Sequence, residues 1–165
     1  MGTRFVGCAA FALFACGGGD EAPSGNGGDG NPNIDPCDIV TQADATALFE
    51  QPAEPDTGPL VTDPAFIGAC YWRYDTPDDL GSQSLAFYLW NGPEYYAPAT
   101  NADPFDIGDE GAVEASAGAG VDVLWRQGEL APIVSYFNVG TGVPDHLTKM
   151  EDVKALALEA SDRLP

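Results

Sequence analysis

Gly68-Ala69-Cys70-Tyr71-Trp72-Arg73-Tyr74-Asp75 and, a turn later, Ser84-Leu85-Ala86-Phe87-Tyr88-Leu89-Trp90 decide the fold. Both stretches alternate with a period of two, the periodicity of a strand whose successive side chains point to opposite faces. In the first, Cys70, Trp72 and Tyr74 face one way, and Tyr71 and Arg73 the other. In the second, Leu85, Phe87 and Leu89 oppose Ala86, Tyr88 and Trp90. Large groups on both faces mark a central strand, or a sheet with helices over one face. Residues 76–82 supply the turn between the two.

Working outward toward the C-terminus, Asn91-Gly92-Pro93 ends the second strand and opens a short helix through Glu94, Tyr95 and Tyr96, limited by Pro98. Residues 103–110 are acidic and rich in turn formers. Strands are expected at 111–116 and 121–127, joined by the hairpin turn Ala117-Gly118-Ala119-Gly120. After Gln127-Gly128-Glu129 a further strand spans 133–139, with Pro132 at its start, where a missing N–H is tolerated. The closing helix carries the clearest signal. Thr148-Lys149-Met150-Glu151 reads as a capping box, and Met150, Val153, Leu156, Ala157, Ala160 and Leu164 recur on one helical face.

Toward the N-terminus, residues 51–64 carry four prolines and read as a loop. Before them Thr41 caps a helix, with Asp44 in the first turn where the helix dipole favours an acid. That helix runs through Ala45, Leu48 and Phe49 and stops before Pro52. The order is helix, five strands, helix. The economical solution is an α+β domain over residues 34–165: an antiparallel sheet of about five strands with N- and C-terminal helices packed on one face.

The first 33 residues read differently. Residues 5–15 are apolar after Arg4, the length of a signal-peptide core and too short to span a bilayer, which takes about 20 residues. They end in Leu13-Phe14-Ala15-Cys16. This resembles the lipobox of bacterial lipoproteins, in which the cysteine after the cut carries the lipid. Phe14 departs from the small or β-branched residue usual there. Residues 1–15 are thus expected to be a signal peptide and Cys16 the lipidated N-terminus. Residues 17–33 (GGGDEAPSGNGGDGNPN) have no apolar periodicity and form a tether of about 20–25 Å r.m.s.. The expected location is the cell envelope, outside the cytoplasm, with the membrane as a partner through the N-terminal lipid.

The chain of 165 residues has 26 acidic residues against six Lys plus Arg, a formal net charge of −20. Removal of residues 1–15 takes away Arg4 and no acid, leaving the mature chain more negative still. Such a surface repels phosphate backbones, so nucleic acid is not expected as a partner. Solubility, or surroundings salty enough to screen the self-repulsion, explains the acidity; attraction for cations or basic partners is the sharper reading.

Four cysteines are present. Cys8 leaves with the signal peptide and Cys16 carries lipid. Cys37 and Cys70 remain in an oxidising compartment, where a pair is expected to form a disulfide. The rival is a metal site, but zinc wants closely spaced ligands, and the single histidine, His146, has no such neighbours.

Asp35-Pro36-Cys37, the helix after Thr41, Cys70-Tyr71-Trp72, Gly108-Asp109-Glu110, the late hairpin and the closing amphipathic helix together resemble an uncharacterised bacterial lipoprotein family. Its actinobacterial members carry a D-P-C start and a second cysteine near an aromatic. In outline it is similar to extracellular sensor domains of bacterial kinases. The resemblance covers residues 34–165. It implies the Cys37–Cys70 bridge and an α+β fold, and no catalytic residues.

Three sets of residues are candidates for chemistry. His146, between a proline-containing turn and a helix start, reads as solvated or capping, with no nucleophile attached to it. Asp103, Asp106, Asp109 and Glu110 crowd one stretch and could supply oxygens to a cation such as calcium, although the EF-hand spacing is absent. Tyr71, Tyr88, Trp90, Tyr95 and Tyr96 could line a ligand or partner surface, or serve as core at strand spacing. The function read from all this is a membrane-anchored envelope lipoprotein with a non-enzymatic binding domain for an envelope protein or small ligand, without cofactor. The alternative is an envelope hydrolase using paired carboxylates.

Overall fold

The computed structural model describes residues 34–116 and 120–165. The expected signal peptide, Cys16, the expected tether and residues 117–119 of the expected hairpin turn lie outside the described residues. Three α-helices occur: α1 (Pro36–Ile39), α2 (Gln42–Phe49) and α3 (Met150–Arg163). The strands are β1 (Glu54–Pro55), β2 (Phe66–Asp75), β3 (Gly81–Asn91), β4 (Asp103–Pro104), β5 (Glu110–Ser116), β6 (Gly120–Arg126) and β7 (Leu130–Gly140). They form one antiparallel sheet in the order β1-β2-β3-β7-β6-β5-β4.

This corrects the expected α+β domain of five strands with two terminal helices. The described residues are mostly β, with seven strands and three short helices. The two added strands are the edges, Glu54–Pro55 and Asp103–Pro104. Two residues cannot show a periodicity, and each pair contains a proline, which reads as loop until its edge position explains it. The added helix, α1, uses Asp35 as N-cap, its carboxylate accepting from Cys37 N at 2.9 Å, with Pro36 in the first turn.

The two long strands fall where the alternation placed them. Cys70 pairs with Phe87 and Trp72 with Leu85, and across the next ladder Leu85 faces Tyr136 and Phe87 faces Val134. These residues join Val113, Val121, Val123 and Trp125 in one core with Ile39, Leu48, Phe49, Val153, Leu156 and Ala157 of the helices. Trp72 Nε1 donates to Val40 O at 3.3 Å, where α1 ends. Cys37 and Cys70 form a disulfide with their Cα atoms 5.1 Å apart, tying α1 to β2.

Pro132 is not at the start of its strand. It lies inside β7, fully buried, paired with Leu89 of β3. The sheet accommodates it on its other side: the β6–β7 ladder stops at Leu124↔Ile133 and meets again only at the isolated bridge Gln127↔Leu130. The gap is where a residue without an N–H cannot donate.

The helix starts divide. Thr41 and Asp44 form a reciprocal capping box on α2, as its sequence requires. The box expected at Thr148 is absent. The chain instead enters α3 through a 3₁₀ turn, His146–Lys149, capped by Asp145, which accepts from Leu147 N at 2.8 Å. Thr148 is used up donating to Asp145 O at 2.6 Å. Charged side chains then lock the helices together. Arg163 donates to Asp44 at 2.5 and 3.1 Å and to Ile39 O at 2.7 Å, and buried Lys149 pairs with Glu50 at 2.5 Å. No described helix is long and apolar enough to cross a membrane.

Candidate functional site

The face of the sheet turned away from the helix core carries the alternate residues of the same strands, and their sizes are uneven. At its centre lies Ala86 of β3. Its cross-strand neighbours are Tyr71 on β2 and Ser135 on β7. Two residues along β3 in either direction stand Tyr88 and Ser84, and Ser84 pairs with Phe137 of β7. Small side chains at positions 84, 86 and 135 are therefore ringed by Tyr71, Tyr88 and Phe137. Neighbours on a sheet face stand about 5 Å apart, so three small residues side by side leave a hollow. Its volume is about 240 Å³, and the segment Asp56-Thr57-Gly58-Pro59 forms one wall.

The walls are packed with care. Tyr71 and Tyr88 meet edge to face, ring centroids 5.6 Å apart and planes at 85°, the favoured geometry for aromatic pairs. Gly58 lies so close over the Tyr71 ring that a Cβ there would fall 1.8 Å from Cζ, so only glycine fits. The Tyr71 hydroxyl beneath it is sealed from solvent, with Tyr88 as its polar neighbour. Burial, with Tyr88 beside it, holds the Tyr71 phenol far above the ordinary tyrosine range. Burial also raises Tyr88, against a lowering contribution from Tyr71, and the Asp122 carboxylate adds to the rise. Asp122 stands across from Ser135 on β6, next to the hollow. Phe137, on the rim, is 46% exposed, unusual for a phenylalanine in an interior strand.

The five aromatic candidates thus separate. Tyr71 and Tyr88 wall the hollow. Trp90 and Tyr95 belong to a second cluster: Tyr95 stacks on Trp90 at 4.8 Å and 11°, Phe66 packs against Trp90 at 4.8 Å and 58°, and Tyr95 donates to Asp63 Oδ1 at 3.0 Å. This cluster pins the loop after β3 to the loop before β2. Tyr96 is part of neither; burial raises its phenol, with Glu110 and Glu114 nearby adding to the effect. Phe137, Ser84 and Ser135 are the site residues that reading along the chain missed.

The acidic stretch does not converge. Asp103 pairs with Val113 at the sheet edge, Asp106 is exposed, Asp109 accepts from Gly128 N at 2.8 Å, and Glu110 opens β5 opposite Arg126. Among the described residues no three of His, Cys, Asp and Glu are grouped to hold a metal ion. His146 is neither solvated nor a cap: its side chain is 15% exposed, with Nδ1 3.5 Å from Asp145. Paired-carboxylate hydrolysis needs one carboxyl held protonated. The carboxyls that move here go the other way. Burial would raise Asp44, but hydrogen bonds from Arg163 and Thr41 outweigh it, and Lys149 lowers Glu50.

No family model, no curated protein and no solved structure matches the chain.

Proposed function

We propose that this chain is a lipid-anchored binding domain of the bacterial cell envelope, non-enzymatic, which takes its ligand in the hollow on the outer face of the sheet. The observation that carries the binding reading is the ring of Tyr71, Tyr88 and Phe137 around Ala86, Ser84 and Ser135. Concave sites with aromatic walls and a few polar groups are where proteins hold small molecules. The anchoring reading is supported by Leu13-Phe14-Ala15-Cys16 at the end of an apolar run of signal length, and by the resemblance to the D-P-C lipoprotein family. The Cys37–Cys70 disulfide suits an oxidising compartment.

Two experiments test the two halves. Mass spectrometry of the mature N-terminus is expected to find an acylated Cys16, and Cys16→Ala is expected to release the protein from membranes. An unmodified start elsewhere overturns the anchor. For binding, Ala86→Phe fills the hollow from its floor while leaving the helix-covered face untouched. A thermal-shift screen of small molecules should yield compounds that stabilise the wild type and not the plugged variant. Compounds that stabilise both equally, or none at all, overturn the hollow as the site.

A further inference from the structure

Resting on that reading of the hollow, we infer that its ligand is a small organic ammonium cation, held by its charge against the rings of Tyr71, Tyr88 and Phe137. Three observations lead there. The first is the walls. Two tyrosine rings stand at 85° to each other, and a third ring, Phe137, rises from the neighbouring strand, about half exposed. Aromatic faces carry negative potential and attract a cation within about 6 Å, most strongly when the cation is of low hydration. Touching edge to face at 5.6 Å, the two rings form one continuous aromatic wall of the hollow, with Phe137 beside it on the neighbouring strand.

The second is charge. The charged residue of the lining is Asp56; Arg73, across from Ser84 on β2, lies within its field but is already paired with Asp75 at 2.8 Å, so the rim stays net negative. Asp122 stands beside the hollow and acts electrostatically on Tyr88. Over the whole chain the net charge is −20, which concentrates cations at such a cleft and repels anions. Burial keeps the phenols neutral, so the rings meet a ligand as unionised aromatics.

The third is size and polarity. A hollow of about 240 Å³ holds a group the size of a trimethylammonium and not a metal ion, which would need converging oxygens. Ser84 and Ser135 can bond a hydroxyl or carbonyl attached to the cation, while nothing on the floor offers the dense hydrogen bonding a bare ammonium would need. A methylated or otherwise weakly hydrated ammonium fits best.

Calorimetric titration of the full chain with choline chloride tests the assignment against choline's uncharged isostere, the same alcohol with a quaternary carbon in place of nitrogen. Choline is expected to bind at least about tenfold more tightly than the isostere, an effect of the size several cation–π contacts give. The preference should shrink as salt is raised. Phe137→Leu and Tyr88→Leu should each weaken choline and spare the isostere more. Tyr88→Phe, which keeps the ring and the fold, should retain binding. Equal affinity for choline and isostere overturns the cation assignment while leaving the hollow a binding site. No saturable binding of choline overturns the assignment too; the Ala86→Phe screen, read separately, then shows whether the hollow binds anything.

Discussion

The Tyr136 hydroxyl donates to Gln83 Oε1 at 2.7 Å inside the core, where Tyr136 is fully buried and Gln83 is 2% exposed. Gln83 in turn reaches Phe49 O through Nε2 at 3.4 Å, and Asn138 Nδ2 donates to the Tyr136 hydroxyl at 3.5 Å and to Pro144 O. A short polar chain therefore crosses the centre of the molecule, from the C-terminal end of α2 through β3 and β7 to the segment that leads into α3. Each buried polar atom in it depends on the next, because an unpaired one bears its full desolvation cost.

Tyr136→Phe is expected to destabilise the fold by about 1–3 kcal/mol, since it leaves Gln83 Oε1 without its donor at nearly unchanged volume. Gln83→Leu alone should cost a similar amount. The double variant should cost less than the sum of the two, and urea denaturation of the four proteins measures the coupling.

The same tyrosine sets an alkaline limit. Burial pushes the Tyr136 phenol up from 10 to about 12. Its folded pKa is above its unfolded one, so its contribution is fully present below pH 10 and is lost as pH rises through about 12. Denaturation midpoints should be flat through the neutral range and fall above pH 10, and Tyr136→Phe should flatten part of that fall. Tyr71, Tyr88, Tyr95, Tyr96 and Lys149 are raised in the same direction and add to it.

At the acid end one contributing pair is Arg163 and Asp44. The Asp44 carboxyl is held below its ordinary 3.8, so its stabilisation is present above that value and is lost as pH falls through the lower folded one. Arg163→Ala is expected to destabilise by about 1–3 kcal/mol near neutrality, because it also strips Ile39 O of its donor. Arg163→Lys should recover only part, lacking the fork that serves Asp44 and Ile39 together. Stability measured from pH 6 down to 2 should fall less steeply in Arg163→Ala than in the wild type.

The Cys37–Cys70 disulfide closes a sequence separation of 33 residues. Its loss removes a constraint worth about 3–4 kcal/mol in the chain-entropy account. Reduction, or the double change Cys37→Ala with Cys70→Ala, should lower the melting temperature. Hydrogen exchange should localise the loosening to α1 and to Val40, whose carbonyl holds Trp72.

The long strands were legible because ten or so alternating residues state which face is buried, and Cys70, Trp72, Leu85 and Phe87 state it twice over. The amphipathic face of α3 was legible for the same reason. The edge strands at Glu54 and Asp103 were not, because pairing there is imposed by a neighbour and not by any pattern of their own. Thr148 matched a capping box, yet Asp145 won the cap because the chain enters the helix through a 3₁₀ turn. Tyr71 and Tyr88 were visible as candidates. What could not be seen was that they share a hollow with Phe137. That requires the register that sets Ala86 between Tyr71 and Ser135, and register joins residues far apart in the chain. Trp90 and Tyr95 looked alike on paper and are a loop clasp.

The strand order also dictates when this molecule can become whole. β3 is flanked by β2, its immediate predecessor, and by β7, the last of the described strands, along the full run Gly81↔Gly140 to Asn91↔Leu130. A nascent chain can close the β2–β3 hairpin early, but one side of β3 then waits, with its amides and carbonyls open, until the final strand is delivered. Such an open edge recruits whatever strand is nearest. A chain cut before Leu130 would leave the waiting edge permanently exposed and should accumulate as aggregate. Delivery of β7, and not closure of the first hairpin, is what completes both sides of β3.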